Sequence, residues 1–93
     1  FVVDDGSTDG SADIAASHAL RPEVLRLRHA GASRARNAGA EAASSSILVF
    51  LDADVVAHPD TLARLRKAFE DPSLDGIMGS YDDQPFHPQF LSQ

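Results

Sequence analysis

Apolar residues in this chain gather in short runs that end abruptly on acids. Phe1-Val2-Val3 opens onto Asp4-Asp5-Gly6-Ser7-Thr8-Asp9-Gly10-Ser11, and Ile47-Leu48-Val49-Phe50-Leu51 opens onto Asp52-Ala53-Asp54. A continuous apolar run of this kind reads as a strand buried on both faces. Val24-Leu25-Arg26-Leu27-Arg28 alternates from Leu25 onward, as a peripheral strand with one wet face does. Between the runs the spacing is helical. A first helix starts among the capping residues Ser7 to Asp9, passes through Ala12, Ile14, Ala15 and Ala16 towards Leu20, and stops before Arg21-Pro22. A second, from Ala32 to Ala43, places Ala32, Ala35, Gly39 and Ala42 on one smooth face that can lie close to a sheet, with Arg34, Asn37 and Glu41 opposite. A third opens at Pro59, buries Leu62, Leu65 and Phe69, and ends at Asp71-Pro72; Asp60 and Arg64 complement each other on it. A last strand is expected from about Asp75 to Ser80. The order strand, helix, strand, helix, strand, helix, strand predicts an α/β fold with a mostly parallel sheet flanked by helices.

The acids stand where open α/β sheets bind ligands, beyond the carboxyl ends of strands. Asp52 and Asp54 form a D-x-D string in which one side chain can coordinate Mg²⁺ or Mn²⁺ and the other can reach the metal's water or a sugar hydroxyl, because hard cations prefer oxygen and keep some water. A polar turn after a strand would look the same in sequence. In the first cluster, Gly6 and Gly10 permit tight turns before a helix. Arg36, near the start of the second helix, either reaches a phosphate there or snorkels from a packed helix.

These segments resemble family 2 glycosyltransferases, which have the GT-A nucleotide-diphospho-sugar fold. Phe1 to Ser11 is similar to the family's VVDDGSTDGS segment, Gly31-Ala32-Ser33-Arg34-Ala35-Arg36-Asn37-Ala38-Gly39 to its G-x-x-x-A-R-N-x-G helix, and Phe50-Leu51-Asp52-Ala53-Asp54 to its F-L-D-x-D strand end. The three lie in register over roughly residues 1 to 80, and Gly79-Ser80-Tyr81-Asp82-Asp83-Gln84-Pro85 resembles a bacterial subgroup more weakly. The resemblance implies that Asp5 binds the nucleotide base or ribose, with Asp4 and Ser7 of the same segment contributing or serving the turn. It also implies Asp54 as the metal ligand and Asp52 as a ribose or metal contact. The chain departs from the pattern at Val55, where many relatives carry a third acid, and at His29, where Asn is frequent. On this resemblance residues 1–93 form a partial, three-layer GT-A-like domain, its first strand expected before Phe1 and its acceptor half, with the general base, beyond Gln93. The implied activity of the parent is sugar transfer from a nucleotide-diphospho-sugar to a hydroxyl of a glycan, lipid or other acceptor. Metal assistance, inversion at the anomeric carbon and a cytoplasmic site, at the cytosolic face of a membrane where the parent is attached, are expected with it.

Composition narrows the alternatives. The 93 residues are 43% hydrophobic, enough for one small core. A formal charge of −6 argues against a nucleic-acid surface, which needs clustered Lys and Arg. Without cysteine there are neither disulfides nor thiolate metal sites, and no apolar stretch approaches the length of a membrane span. His18, His29, His58 and His87 lack the close pairing of a zinc site, and Tyr81, Asp82 and Asp83 read as a loop bordering a pocket or as solvated surface. Two other functions are open to the chain. It could be a non-catalytic nucleotide- and metal-binding piece that oligomerises to cover sheet edges. As a haloacid-dehalogenase-type phosphatase it would use Asp52 as nucleophile, but Lys67 lies too near in sequence for that class and Asp4-Asp5-Gly6-Ser7 would be left unexplained.

Overall fold

The computed structural model describes residues 1–80, which carry two short strands and three helices: β1 Val2–Asp4, α1 Ser11–Ala16, β2 Val24–Arg26, α2 Ala32–Ala42 and α3 Thr61–Ala68. They fall into two compact units, Phe1–Val55 and a second that begins at Val56. The expected α/β class holds, because the first unit is built on a parallel βαβ motif. β1 and β2 pair in parallel with Val2 opposite Val24, Val3 opposite Leu25 and Asp4 opposite Arg26. The ladder is extended at both ends, Val2 N–H donating to Glu23 O at 2.8 Å and Leu27 N–H to Asp4 O at 2.8 Å. Parallel neighbours need a crossover, and α1 supplies it while packing on both strands.

Glycine and short polar side chains shape that crossover. Gly10 takes a left-handed φ of 82° immediately before α1, and Asp9 Oδ1 accepts the Ser11 N–H at 3.1 Å. The helix therefore begins later than the Ser7 to Asp9 start expected from sequence, and it stops at Ala16 rather than continuing towards Leu20. At that end Ser17 Oγ donates to Ile14 O at 3.0 Å, a local bond that competes with helical continuation. Ala12 of α1 is the one buried apolar residue among those described.

α2 matches its predicted span to within a residue and packs on β1. Gly39 makes the approach close: a Cβ there would meet Val3 Cγ2 at 3.2 Å. Ala35, Ala38 and Gly39 are half-buried, whereas Ala32 and Ala42 are exposed, so the contact face is narrower than the small-residue stripe.

Two expected strands are absent among the described residues. The run Ile47 to Leu51 belongs to no ladder and is exposed throughout, from 38% at Ile47 to 59% at Leu51. A strand exists by its hydrogen-bonded neighbour, and among the described residues no backbone group of this run has a backbone partner. Instead the run faces Phe1, Val2 and Val3 across a groove of about 710 Å³ walled on a third side by Ala35 and Gly39 of α2 and by Ala43 just beyond it. Phe1 and Val2 are likewise exposed, so β1 is not the doubly buried strand its apolarity suggests. In the second unit, 75–80 carries no ladder either, and Met78 is almost fully exposed.

α3 begins after the turn in which Thr61 N–H donates to His58 O at 3.1 Å, two residues past Pro59. Its burial falls short of expectation at all three positions. Leu65 and Phe69 are half-buried, but Leu62 is 62% exposed, since nothing described covers that side of the helix. Tyr81, Asp82, Asp83 and His87 lie outside the described residues.

Candidate functional site

The acids singled out in the sequence occupy two turns of the first unit. At the end of β1, Asp4 Oδ1 accepts the Ser7 N–H at 3.3 Å, closing the turn that Gly6 makes possible with φ 82°. Gly6 is needed for space as well as for conformation. A Cβ at this position would stand 2.9 Å from the His29 backbone nitrogen. Ser7 thus enters the site through its backbone, and its side chain is left at the exposed surface.

Asp5 turns the other way, into the loop that precedes α2. Its Oδ1 accepts the Ala30 N–H at 2.9 Å and its Oδ2 accepts the Gly31 N–H at 2.9 Å. The Ala30 bond, then the Gly31 bond, holds the Asp5 carboxyl below its ordinary range, since both favour the anion. His29 adds little: its Nδ1 stands 3.5 Å from Oδ2 and the ring is almost fully exposed. Asp9 is also acidified, chiefly by the Ser11 hydroxyl and then by the Ser11 N–H.

The second turn is held differently. Asp52 Oδ1 accepts from Arg36 Nη2 at 2.9 Å, both side chains being about half exposed (58% and 50%). Val55 N–H donates to Asp52 O at 3.1 Å and closes the turn that carries Asp54. Asp54 itself is exposed and has no side-chain partner among the described residues. Arg36, for which the sequence offered a phosphate or a packed helix surface, therefore bridges α2 to the D-x-D turn.

Among the described residues no three His, Cys, Asp or Glu side chains are arranged to hold a metal ion by themselves. Asp52 and Asp54 nevertheless suit a hard cation as a donor set. Mg²⁺ is commonly bound by one or two carboxylates and completed by phosphate and water oxygens, and both side chains are accessible. The arrangement offers two carboxylates beside a guanidinium at one turn, and a rigid, backbone-bonded acidic turn at the other.

Two features escaped the sequence. The partners of Asp5 lie 25 and 26 residues away, and the Arg36–Asp52 pair spans 16 residues. No local periodicity signals such contacts. The glycine at position 31, directly before a helix and without a capping side chain of its own, is the one hint that a remote acceptor is required.

Comparison with known proteins accounts for these motifs together. An uncharacterized glycosyltransferase, YibD, of Escherichia coli K12 is 39% identical over 78 residues, which cover 81% of this chain and 23% of that protein. An uncharacterized glycosyltransferase of Nostoc, alr2836, is 35% identical over 85 residues, 87% of this chain and 26% of the relative. A validoxylamine A glucosyltransferase of Streptomyces hygroscopicus subsp. jinggangensis is 33% identical over 102 residues, 98% of this chain and 24% of its own. The chain thus spans about a quarter of the length of these relatives. No solved structure gives a significant match. Residues 1–90 match the family model described as Glycosyl transferase family 2, and with these relatives beside it the chain belongs to that family.

Proposed function

We propose that the protein of which this chain forms part transfers a sugar from a nucleotide-diphospho-sugar to an acceptor hydroxyl, with inversion and with help from a divalent cation. The observation that carries this reading is that α2 ties the two acidic turns together, its leading loop bonded to Asp5 and its Arg36 to Asp52. A donor with ribose and sugar hydroxyls and a charged diphosphate calls for both kinds of group in one place. Asp54 and Asp52 hold Mg²⁺ or Mn²⁺, whose chemistry here is to offset the charge that develops on the leaving diphosphate. Asp4, Asp5 and Ser7 shape the turn against which the nucleoside rests. Arg36 exchanges part of its contact with Asp52 for a phosphate oxygen, so the guanidinium is not left unpaired in either state. The acceptor hydroxyl loses its proton to a carboxylate outside this chain and attacks the anomeric carbon from the face opposite the diphosphate.

The family supports glycosyl transfer in general; the choice of metal, the stereochemical outcome and the cytosolic setting are part of the proposal. Isothermal titration of UDP and GDP into the full-length protein, with Mn²⁺ and then with EDTA, tests it. Metal-dependent binding that disappears in Asp54→Ala is the expected result. Binding of either nucleotide with equal affinity in EDTA would overturn the metal role, and no binding to a folded, full-length protein would overturn the donor site.

A further inference from the structure

The two carboxylates of the D-x-D turn are in unequal states. Asp54 is exposed and its side chain has no partner among the described residues, whereas Asp52 Oδ1 accepts from Arg36 Nη2 at 2.9 Å. The guanidinium reaches that oxygen from within α2, so its charge is tethered to the helix that forms one wall of the groove. Of the residues lining the groove, Arg36 and Asp52 alone are charged. Apolar walls on one side strengthen the field of a charge beside them. A fixed positive charge therefore stands next to the carboxylates that suit a cation.

Asp52, Asp54 and Arg36 together carry one net negative charge. A divalent cation entering alone would reverse it and would face the guanidinium across Asp52. A diphosphate entering with the cation brings the negative charge that removes this excess, and it offers the guanidinium oxygens to bind in place of Asp52. We propose that Arg36 makes cation uptake at this turn conditional on the diphosphate: it competes with the metal while the site is free and becomes a partner of the ligand once the diphosphate arrives. The effect is one of charge and not of blockage, since Asp52 keeps its other oxygen free among the described residues. Linkage makes it reciprocal, so the diphosphate tightens the metal by the factor by which the metal tightens the diphosphate. The inference deepens the donor-site reading and rests on it for a cation at Asp54 and Asp52.

The test is titration of Mn²⁺ into the full-length protein, with free Mn²⁺ counted by electron paramagnetic resonance, in the absence and in the presence of UDP. Wild type is compared with Arg36→Gln, Arg36→Lys and Asp54→Ala. Without UDP, Arg36→Gln is expected to bind Mn²⁺ about fivefold more tightly than wild type, the upper end of what a half-exposed pair contributes. Arg36→Lys keeps the charge and should bind Mn²⁺ as weakly as wild type. With UDP the advantage of Arg36→Gln should vanish, so the gain that UDP brings shrinks about fivefold. Should Arg36→Gln unfold, Arg36→Met repeats the comparison with the apolar stem kept on the groove. Wild-type Mn²⁺ affinity in the uncharged variant would overturn the proposal, as would Arg36→Lys binding as tightly as Arg36→Gln; if Asp54→Ala still abolishes binding, the donor site itself stands. Mn²⁺ binding indifferent to Asp54→Ala would instead place the cation elsewhere, and the donor-site reading would fall together with the proposal.

Discussion

The acidic turn after β1 and the acidic turn after Leu51 read alike in sequence and are held by different means. The first follows a strand that is paired along its length, and its carboxylates accept backbone N–H groups from Ser7, Ala30 and Gly31. The second follows a run with no ladder among the described residues, and a local bond from Val55 N–H to Asp52 O and one exposed ion pair from α2 secure it. A carboxylate that accepts backbone N–H groups is fixed by the fold, whereas one facing only a flexible guanidinium is free to change partners. The first turn therefore suits a framework role and the second suits a ligand that arrives with its own charges.

The largest effect expected from that contrast is at Asp54. On the proposed metal role, its replacement by Ala should lower Mn²⁺-dependent UDP binding of the full-length protein by about 100-fold, while leaving the thermal midpoint within a degree or so of wild type. A large drop in midpoint would mean that the second turn is framework after all.

Next comes Gly6. Gly6→Ala combines a left-handed φ with a clash against the His29 nitrogen at 2.9 Å, and should destabilise the chain by about 2 kcal/mol or more. Gly10→Ala has the same φ of 82° but open space around it, so about 1 kcal/mol is expected. Urea unfolding of the two variants separates the cost of conformation from that of crowding. Equal values would show that the loop before α2 moves aside freely, which would weaken the framework reading of the first turn.

A smaller effect is the pH dependence. Asp5 and Asp9 are both more acidic in the fold than the ordinary value of 3.8, through hydrogen bonds to Ala30 and Gly31 and to Ser11 respectively. The folded state thus binds fewer protons, so the stabilisation is complete above the ordinary value and is lost as pH falls through the depressed ones. The urea midpoint should stay level from pH 7 to about 5 and fall below about 4, with a shallower fall in Asp5→Asn. An unchanged slope in that variant would argue that the bonds to Ala30 and Gly31 are weak in solution.

The smallest effect belongs to Arg26 and Asp13, a 2.7 Å pair on the outside of the βαβ motif with both side chains exposed. Arg26→Ala should cost under about 0.5 kcal/mol, and less in high salt. A larger loss in the same urea measurement would show that surface pairing contributes to the first unit as much as its backbone bonds.

What the sequence determined by itself is local. β1, β2 and α2 were legible within a residue or two, because apolar runs, alternation and Ala-rich helical spacing act over neighbouring residues. Gly6 and Gly10 announced turns, and the acids announced the ends of apolar runs. The family itself was legible in three motifs. Tertiary structure decided the rest. Ile47 to Leu51 has the composition of a buried strand, yet a ladder requires a second backbone at hydrogen-bonding distance, and none described lies there. Asp5 and Arg36 are in the same position: each is bonded to groups far along the chain, Asp5 to Ala30 and Gly31, Arg36 to Asp52. Contacts of that separation have no period in the sequence, so only the folded chain shows that one helix joins the two acidic turns.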